Sequence, residues 1–488
     1  MFAKTILWDC DKTMNDVFFF LRLRHSLIRS ATMIEGCWRV AWVKPLRHVL
    51  LLAVIAATPA FAAPVLMISV DGLKPEYVFE ADAHALKIPY LRSLLRDGAY
   101  ARGVIGVWPT VTYPNHTTLL TGATPAEHGI YNNLEFDPKR NFAESWYWYA
   151  RQIRVPTLWR AAHDAGFSTA SVGWPVSVGA TEVDFLIPEY WRIFRPTADL
   201  NPSDSHLIAA LSRPEGLLQA MQARLGPYMQ GNDVSPKGDE IKVRFALDVL
   251  RSQKPVFMTL HLSSLDEEQH AHGPFSPEVN QDLEEIDGWL AQLNAAARAN
   301  DPAGITVVVS DHGFLTLTHR VNLLLPFLRA DLSHSGEAWK AQVWGAGGVA
   351  AIMLHEPVDE RSVARVRELL RTLASDARNG ILQILERDAI KQIGAFPDAW
   401  FLVVMKSGYY AISDPAAPLL SEVQRSAGGH GFSPEFPEMR ASFFVTGTEI
   451  AQRRDLGVID MRRIAPTVAQ LLKVRLPTAT LPPLPVRQ

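Results

Sequence analysis

Cysteine is nearly absent from this chain, with only Cys10 and Cys37 among 488 residues. Both precede the end of an N-terminal leader, so the mature chain would have none. That excludes a disulfide framework and a thiolate metal site. Positive charge is not in excess either. A net charge of -3 leaves no basic surface of the kind that binds a nucleic-acid duplex. No apolar run reaches the ~20 residues a spanning helix needs, so no membrane span is expected in the mature protein. Internal repeats and low-complexity tracts are also missing. What remains is 48% hydrophobic and 20% charged, the balance of a globular chain with a sizeable core.

The leader lies in residues 1–62. Lys44 and Arg47 precede an apolar stretch that ends in Ala60-Phe61-Ala62, the pattern of a cleavable secretory signal. Cleavage near Ala62 predicts a periplasmic or secreted protein. Residues 1–43 are long for a charged leader region and point to a start further along, such as Met33. The mature chain then has 40 Lys and Arg against 47 Asp and Glu, a balance of -7. An anionic substrate would have to be held by local charge, most plausibly by metals.

The element pattern predicts an α/β fold. Val65–Val70, Pro255–Leu262 and Ile305–Ser310 are continuous apolar runs, as in parallel strands buried on both faces. Each run leads into an acid: Asp71, Asp266 and Asp311. The C-terminal strand edge of an open sheet would gather these acids where such folds bind ligands. Helices are expected over 89–97, 156–166, 277–299 and about 460–472, and over much of 200–252 with prolines as breaks. A change of texture over 337–415 suggests a small inserted α/β subdomain, with core at 63–336 and 416–488. The proline-rich end reads as an extended tail.

A second pattern surrounds Thr112. Pro109 and Pro114 restrict the backbone on both sides of it. A helix expected from near Asn115 would turn its free N–H groups toward it, favouring an anion. Downstream, Asn133 either closes a turn or donates its amide N–H to a substrate oxygen. Tyr190, Trp191 and Phe194 form either a core patch or an aromatic wall for a flat or apolar group. The possible ligands are Asp71, Thr112, Asp266, His270, Asp311, His312 and His430. Oxygen and imidazole donors without sulfur suit zinc, and manganese or iron less well. They divide into Asp71, Asp311, His312 and Thr112 for one ion, and Asp266, His270 and His430 for another. Two such ions would clamp a phosphoryl centre. His116, His128, His261 and His272 read as packing or supporting residues, and Glu267 and Glu268 as solvated.

Taken together, Asp71-Gly, Thr112-Tyr-Pro-Asn-His, His128-Gly-Ile-x-x-Asn133, Asp266-x-x-x-His270-x-x-Gly-Pro, Asp311-His312-Gly and Gly-x-His430-Gly resemble the nucleotide pyrophosphatase/phosphodiesterase family of the alkaline phosphatase superfamily. The resemblance spans about 65 to 475. It implies an alkaline phosphatase-like core, mostly parallel and flanked by helices, and two zinc ions grouped as above. It also implies Thr112 as nucleophile, a phosphothreonine intermediate and Asn133 as oxyanion donor. The substrate would be a small phosphodiester or nucleotide, with Tyr113, Tyr190, Trp191 and Phe194 against the group attached to phosphorus.

Three departures stand out, the first being that the segment around Phe194 is aromatic but not identical to the one that supplies a base-stacking tyrosine in nucleotide-cleaving relatives. Glu267-Glu268-Gln269 replaces the family's Ser-Ser-Gly, a change expected at the rim, and Val176-Ser177-Val178 replaces Gly-Ser-Asp. The rivals are a phosphonate hydrolase, a phosphomonoesterase or a lipid-headgroup phosphodiesterase on the same metals. A non-catalytic binding protein is the reading from another class. A monoesterase would want extra positive charge, and the motif loops contain no arginine.

Overall fold

The computed structural model describes residues 62–138, 146–191, 203–229, 233–334 and 339–488. Of the leader expected over 1–62, all but Ala62 lies outside those residues, with Cys10 and Cys37, and so does the aromatic Phe194. Among the described residues no helix is long and apolar enough to cross a membrane.

Eight strands build the main sheet: β1 (Val65–Val70), β2 (Gly98–Tyr100), β3 (Thr169–Val172), β4 (Phe185–Ile187), β5 (Phe257–Leu262), β6 (Ile305–Val309), β7 (Phe443–Thr446) and β8 (Arg454–Asp455). Their order is β8-β2-β7-β6-β1-β5-β3-β4. All pairs are parallel except those of β7, which runs antiparallel to both neighbours. β1 is buried along its whole length, and its alternate side chains feed two different cores. Leu66, Ile68 and Val70 face one layer of helices, α1 (Pro236–Gln253) and α2 (Pro277–Asn300). Val65 and Met67 face the other, with Leu119, Trp159 and Val468. This is the period-2 alternation of a strand with both faces covered.

Register then decides where the acids go. Val70 pairs with Leu262, and Ser69 with Val309. The three central strands therefore end flush, and Asp71, Ser263 and Asp311 leave from one edge.

Proline behaves differently from the sequence expectation at one position. Pro236 does not break a helix but opens α1, where Ser235 caps the Gly238 N–H at 3.2 Å. A missing N–H costs nothing at that place. The apolar stretch from Ala99 to Val107 carries two short strands, Gly98–Tyr100 and Gly103–Ile105, and not one long one. The C-terminal stretch is extended but not loose, because Leu484 and Val486 are buried in the second core.

A second sheet has four antiparallel strands in the order Ala341–Gly345, Val349–Leu354, Phe401–Met405, Ile381–Glu386. The helix Glu360–Ser375 lays Val363, Val366 and Leu370 on it. Tyr409–Ile412 instead pairs with His319–Asn322, which links this region to the chain before it.

Candidate active site

Asp71 follows β1 directly and is almost fully buried. Gly72, at φ +69°, turns the chain away, and its N–H donates to Asp311 Oδ1 at 3.2 Å. Asp311 and His312 follow β6, both with no exposure. Asp266 and His270 lie four apart on a helix, Ser264–His272, so they share one face. His430 arrives from the strand Gly428–Gly429.

These side chains converge. His312 Nε2 lies 3.0 Å from Asp311, 3.4 Å from Asp71 and 4.0 Å from Asp266. His430 Nε2 lies 3.8 Å from Asp266, and His270 Nε2 lies 3.5 Å from it. The His312 and His430 rings stack at 3.8 Å. Two groups of ligand atoms fall within 4.8 Å, Asp71 with Asp311 and His312, and Asp266 with His312 and His430.

All three histidines are oriented alike. Nδ1–H of His270 donates to the Gly428 carbonyl at 3.2 Å, that of His312 to Gly313 at 3.2 Å, and that of His430 to Thr110 at 3.1 Å. Each Nε2 lone pair is left to face the carboxylates, the tautomer of a metal ligand.

Charge makes the same point. Burial, with the neighbouring carboxylate of Asp266, pushes Asp71 well above the usual carboxylate range, and burial with Asp71 does the same to Asp311. Burial, with His270 beside it, lowers His430 to about 3, and His312 is lowered well below the ordinary value by burial and by His430. Asp71 Oδ1, Asp266 Oδ1, Asp311 Oδ2 and His312 Nε2 are buried without any hydrogen-bond partner. Orphaned acids and lone pairs facing one another are costly unless a cation sits among them. With oxygen and imidazole donors only, the set fits zinc.

Thr112 does not precede the helix but opens it, at Thr112–Thr121, with Pro114 harmless in the first turn. Asn115 pins the approach. Its Oδ1 accepts the Val107 N–H at 2.9 Å and its Nδ2 donates to Pro109 and Val111 carbonyls at 2.8 and 2.9 Å. His116, fully buried, holds the Thr112 carbonyl with Nδ1 and Ser69 Oγ with Nε2, both at 2.9 Å. A cavity of ~230 Å³ opens over Thr112, Asp71, Asp266, His270 and His430, with Asn133 on its wall. Asn133 Oδ1 accepts the Tyr113 N–H at 2.9 Å, which leaves Nδ2 as the donor its side chain offers there.

The aromatic residues separate. Tyr113 and Trp191 line the cavity, whereas Tyr190 does not and packs on Trp148 with ring centroids 5.1 Å apart. Two lining residues, Trp146 and Glu189, were missed from the sequence. Trp146 stands edge-on to Tyr113 at 5.3 Å and to Trp191 at 4.7 Å. Buried Glu189 accepts the Tyr113 hydroxyl at 2.7 Å and lies 3.0 Å from His261 Nδ1. His261 Nε2 in turn lies 3.0 Å from Asp71. Glu189 lies two residues past a core strand, a position that by itself does not say which way its side chain turns. Of the departures near Asp266, Glu267 is exposed at the rim, but Gln269 is completely buried.

The family model described as type I phosphodiesterase / nucleotide pyrophosphatase matches residues 65–433. Human ectonucleotide pyrophosphatase/phosphodiesterase family member 1 is 25% identical over 267 residues, 51% of this chain and 23% of that protein. Venom phosphodiesterase of Naja atra is 20% identical over 428 residues, 85% of this chain and 44% of the relative. The chain thus spans less than half the length of these curated relatives. Among solved structures, human ectonucleotide pyrophosphatase/phosphodiesterase 5 superposes with a TM-score of 0.60 at 19% identity, over 84% of this chain and 95% of that one. An inactive murine counterpart in complex with AMP gives 0.59 at 18%, over 86% and 96%. At these identities the structural likeness is one of fold.

Proposed function

The chain belongs to the type I phosphodiesterase / nucleotide pyrophosphatase family, in the alkaline phosphatase superfamily, and on that premise we propose that it is a secreted, periplasmic two-zinc hydrolase of small phosphodiesters or nucleotide pyrophosphates. Asp71, Asp311, His312 and Thr112 would hold one ion, and Asp266, His270 and His430 the other. Bound there, zinc supplies Lewis acidity that favours the threonine alkoxide and neutralises charge on the phosphoryl oxygens. One observation carries the reading. Three histidines with outward-tied Nδ1 and four orphaned ligand atoms converge under the threonine that opens a buried helix.

Thr112 Oγ attacks phosphorus in line, so its bond to phosphorus forms as the bond to the leaving oxygen breaks. Asn133 Nδ2 and the Thr112 N–H hold the non-bridging oxygen as charge builds on it. Water then attacks the phosphothreonine, breaking the bond to Thr112 and freeing the hydroxyl. Tyr113, Trp146 and Trp191 contact the group attached to phosphorus. No arginine or lysine lines the cavity among the described residues, which favours the single charge of a diester over the double charge of a monoester. The chain would divide into a leader at 1–62, a core at 63–336 and 416–488, and an insertion at 337–415.

Thr112→Ala tests this. Hydrolysis of p-nitrophenyl thymidine monophosphate should fall ~10³-fold or more while bound zinc, measured by atomic absorption, is retained. Undiminished turnover would remove Thr112 from the mechanism. Faster cleavage of p-nitrophenyl phosphate than of the diester by the parent protein would move the substrate class to monoesters.

A further inference from the structure

Gln269 lies between the two ligand His and Asp segments without touching the cavity. Its side chain is wholly buried in a protein where glutamine is ordinarily at the surface. Nε2 donates to the Gly72 carbonyl at 3.0 Å, and Oε1 accepts the Tyr77 hydroxyl at 2.9 Å. Tyr77 Oη in turn accepts the Phe275 N–H at 3.1 Å. The amide is thus held at both ends. Gly72 adjoins Asp71 and donates to Asp311, while Gln269 adjoins His270 on the helix carrying Asp266.

The fit is close on every side. A Cβ on Gly72 would come 2.8 Å from Gln269 Nε2, and one on Gly428 would come 2.5 Å from the Gln269 carbonyl. Gly428 is also the residue whose carbonyl orients His270. Three ligand-bearing segments therefore meet at this one residue: the turn after β1, the Ser264–His272 helix and the strand leading to His430.

We infer that Gln269 is a positioning residue that fixes the spacing between the two ligand groups, and so governs simultaneous occupation of both metal positions. The inference rests on the two-metal reading. Either group alone can adjust around one ion. Both together require the turn at Asp71 and the helix at Asp266 to keep a set separation, and the bond from Gln269 to Gly72 is a direct side-chain tie between them. Supporting contacts of this kind typically change metal affinity ~10–100-fold.

The test is a competition titration of the metal-stripped full chain with zinc, and separately with cobalt, whose visible spectrum reports ligand geometry. In Gln269→Leu the first equivalent should bind within about threefold of the parent. The second should bind ~10–100-fold more weakly, with an altered cobalt spectrum. Tyr77→Phe, which frees only the oxygen end of the amide, should shift the second equivalent in the same direction by less. It also serves if Gln269→Leu does not fold. A merely structural role would lower the melting temperature of the stripped protein and leave the second affinity unchanged, and that result overturns the inference. Binding of fewer than two equivalents by the parent itself would overturn the two-metal reading, and the inference with it.

Discussion

Asn133 uses the two ends of one amide for different purposes, and substitution can separate them. Oδ1 holds the Tyr113 N–H, and Nδ2 is offered to the cavity. Asn133→Asp keeps the acceptor and loses the donor, whereas Asn133→Ala loses both. Each should lower kcat by about 10²–10³-fold with a smaller change in KM, as expected for a donor that acts in the transition state. If Asn133→Asp retains parental kcat in steady-state assays, the oxyanion role is wrong. The convergence of the candidate ligands was legible at this scale because chemistry and position coincide: acids at the ends of apolar runs, histidines beside them. Glu189 was not, because the neighbouring aromatics drew the reading and nothing local says that Glu189 turns inward to Tyr113 and His261.

Helices that carry the site were harder to read than the strands. Ser264–His272 has almost no apolar stripe, so periodicity gives no signal. Its first turn is set from outside. Lys242, fully buried, bonds Asp239 at 2.9 Å and Ser263 Oγ at 2.8 Å, while Asp239 accepts the Ser264 N–H at 2.8 Å. Ser264 Oγ donates to Asp282 at 3.0 Å. Burial raises Asp282 from an ordinary 3.8 to about 7. The folded chain therefore holds this proton more tightly than the unfolded chain. The resulting stabilisation is complete below about 3.8 and is lost as pH rises through about 7. Urea midpoints should show this group favouring the fold more at pH 6 than at pH 8. Asp282→Asn, which keeps an acceptor for Ser264, should flatten that difference. A slope unchanged in the variant would assign it to other groups.

For the whole molecule the decisive variable is the metal. Stripped protein leaves Asp71, Asp266 and Asp311 converging without a counter-charge, so its melting temperature should fall below that of the zinc-loaded protein. With free zinc at a hundredfold excess over its dissociation constant, each site contributes ~2.7 kcal/mol. Loading should also release protons, more of them as pH falls, because Asp71 and Asp311 are pushed up by burial and must ionise to bind. Calorimetry in buffers of different ionisation enthalpy reads that release, and affinity should weaken as pH falls. Identical melting with and without zinc would contradict the picture.

The strand Phe443–Thr446 sits between Ile305–Val309 and Gly98–Tyr100, near the middle of the main sheet although it comes late in the chain. His430, the last of the proposed ligands, is made before it. A nascent chain halted at residue 440 would already hold every group that could grip an ion, yet its sheet would lack the strand that joins its two parts. Pairings between residues so far apart in sequence are slow to form. Completion of the proposed metal centre would thus wait for this strand rather than for the appearance of its last ligand.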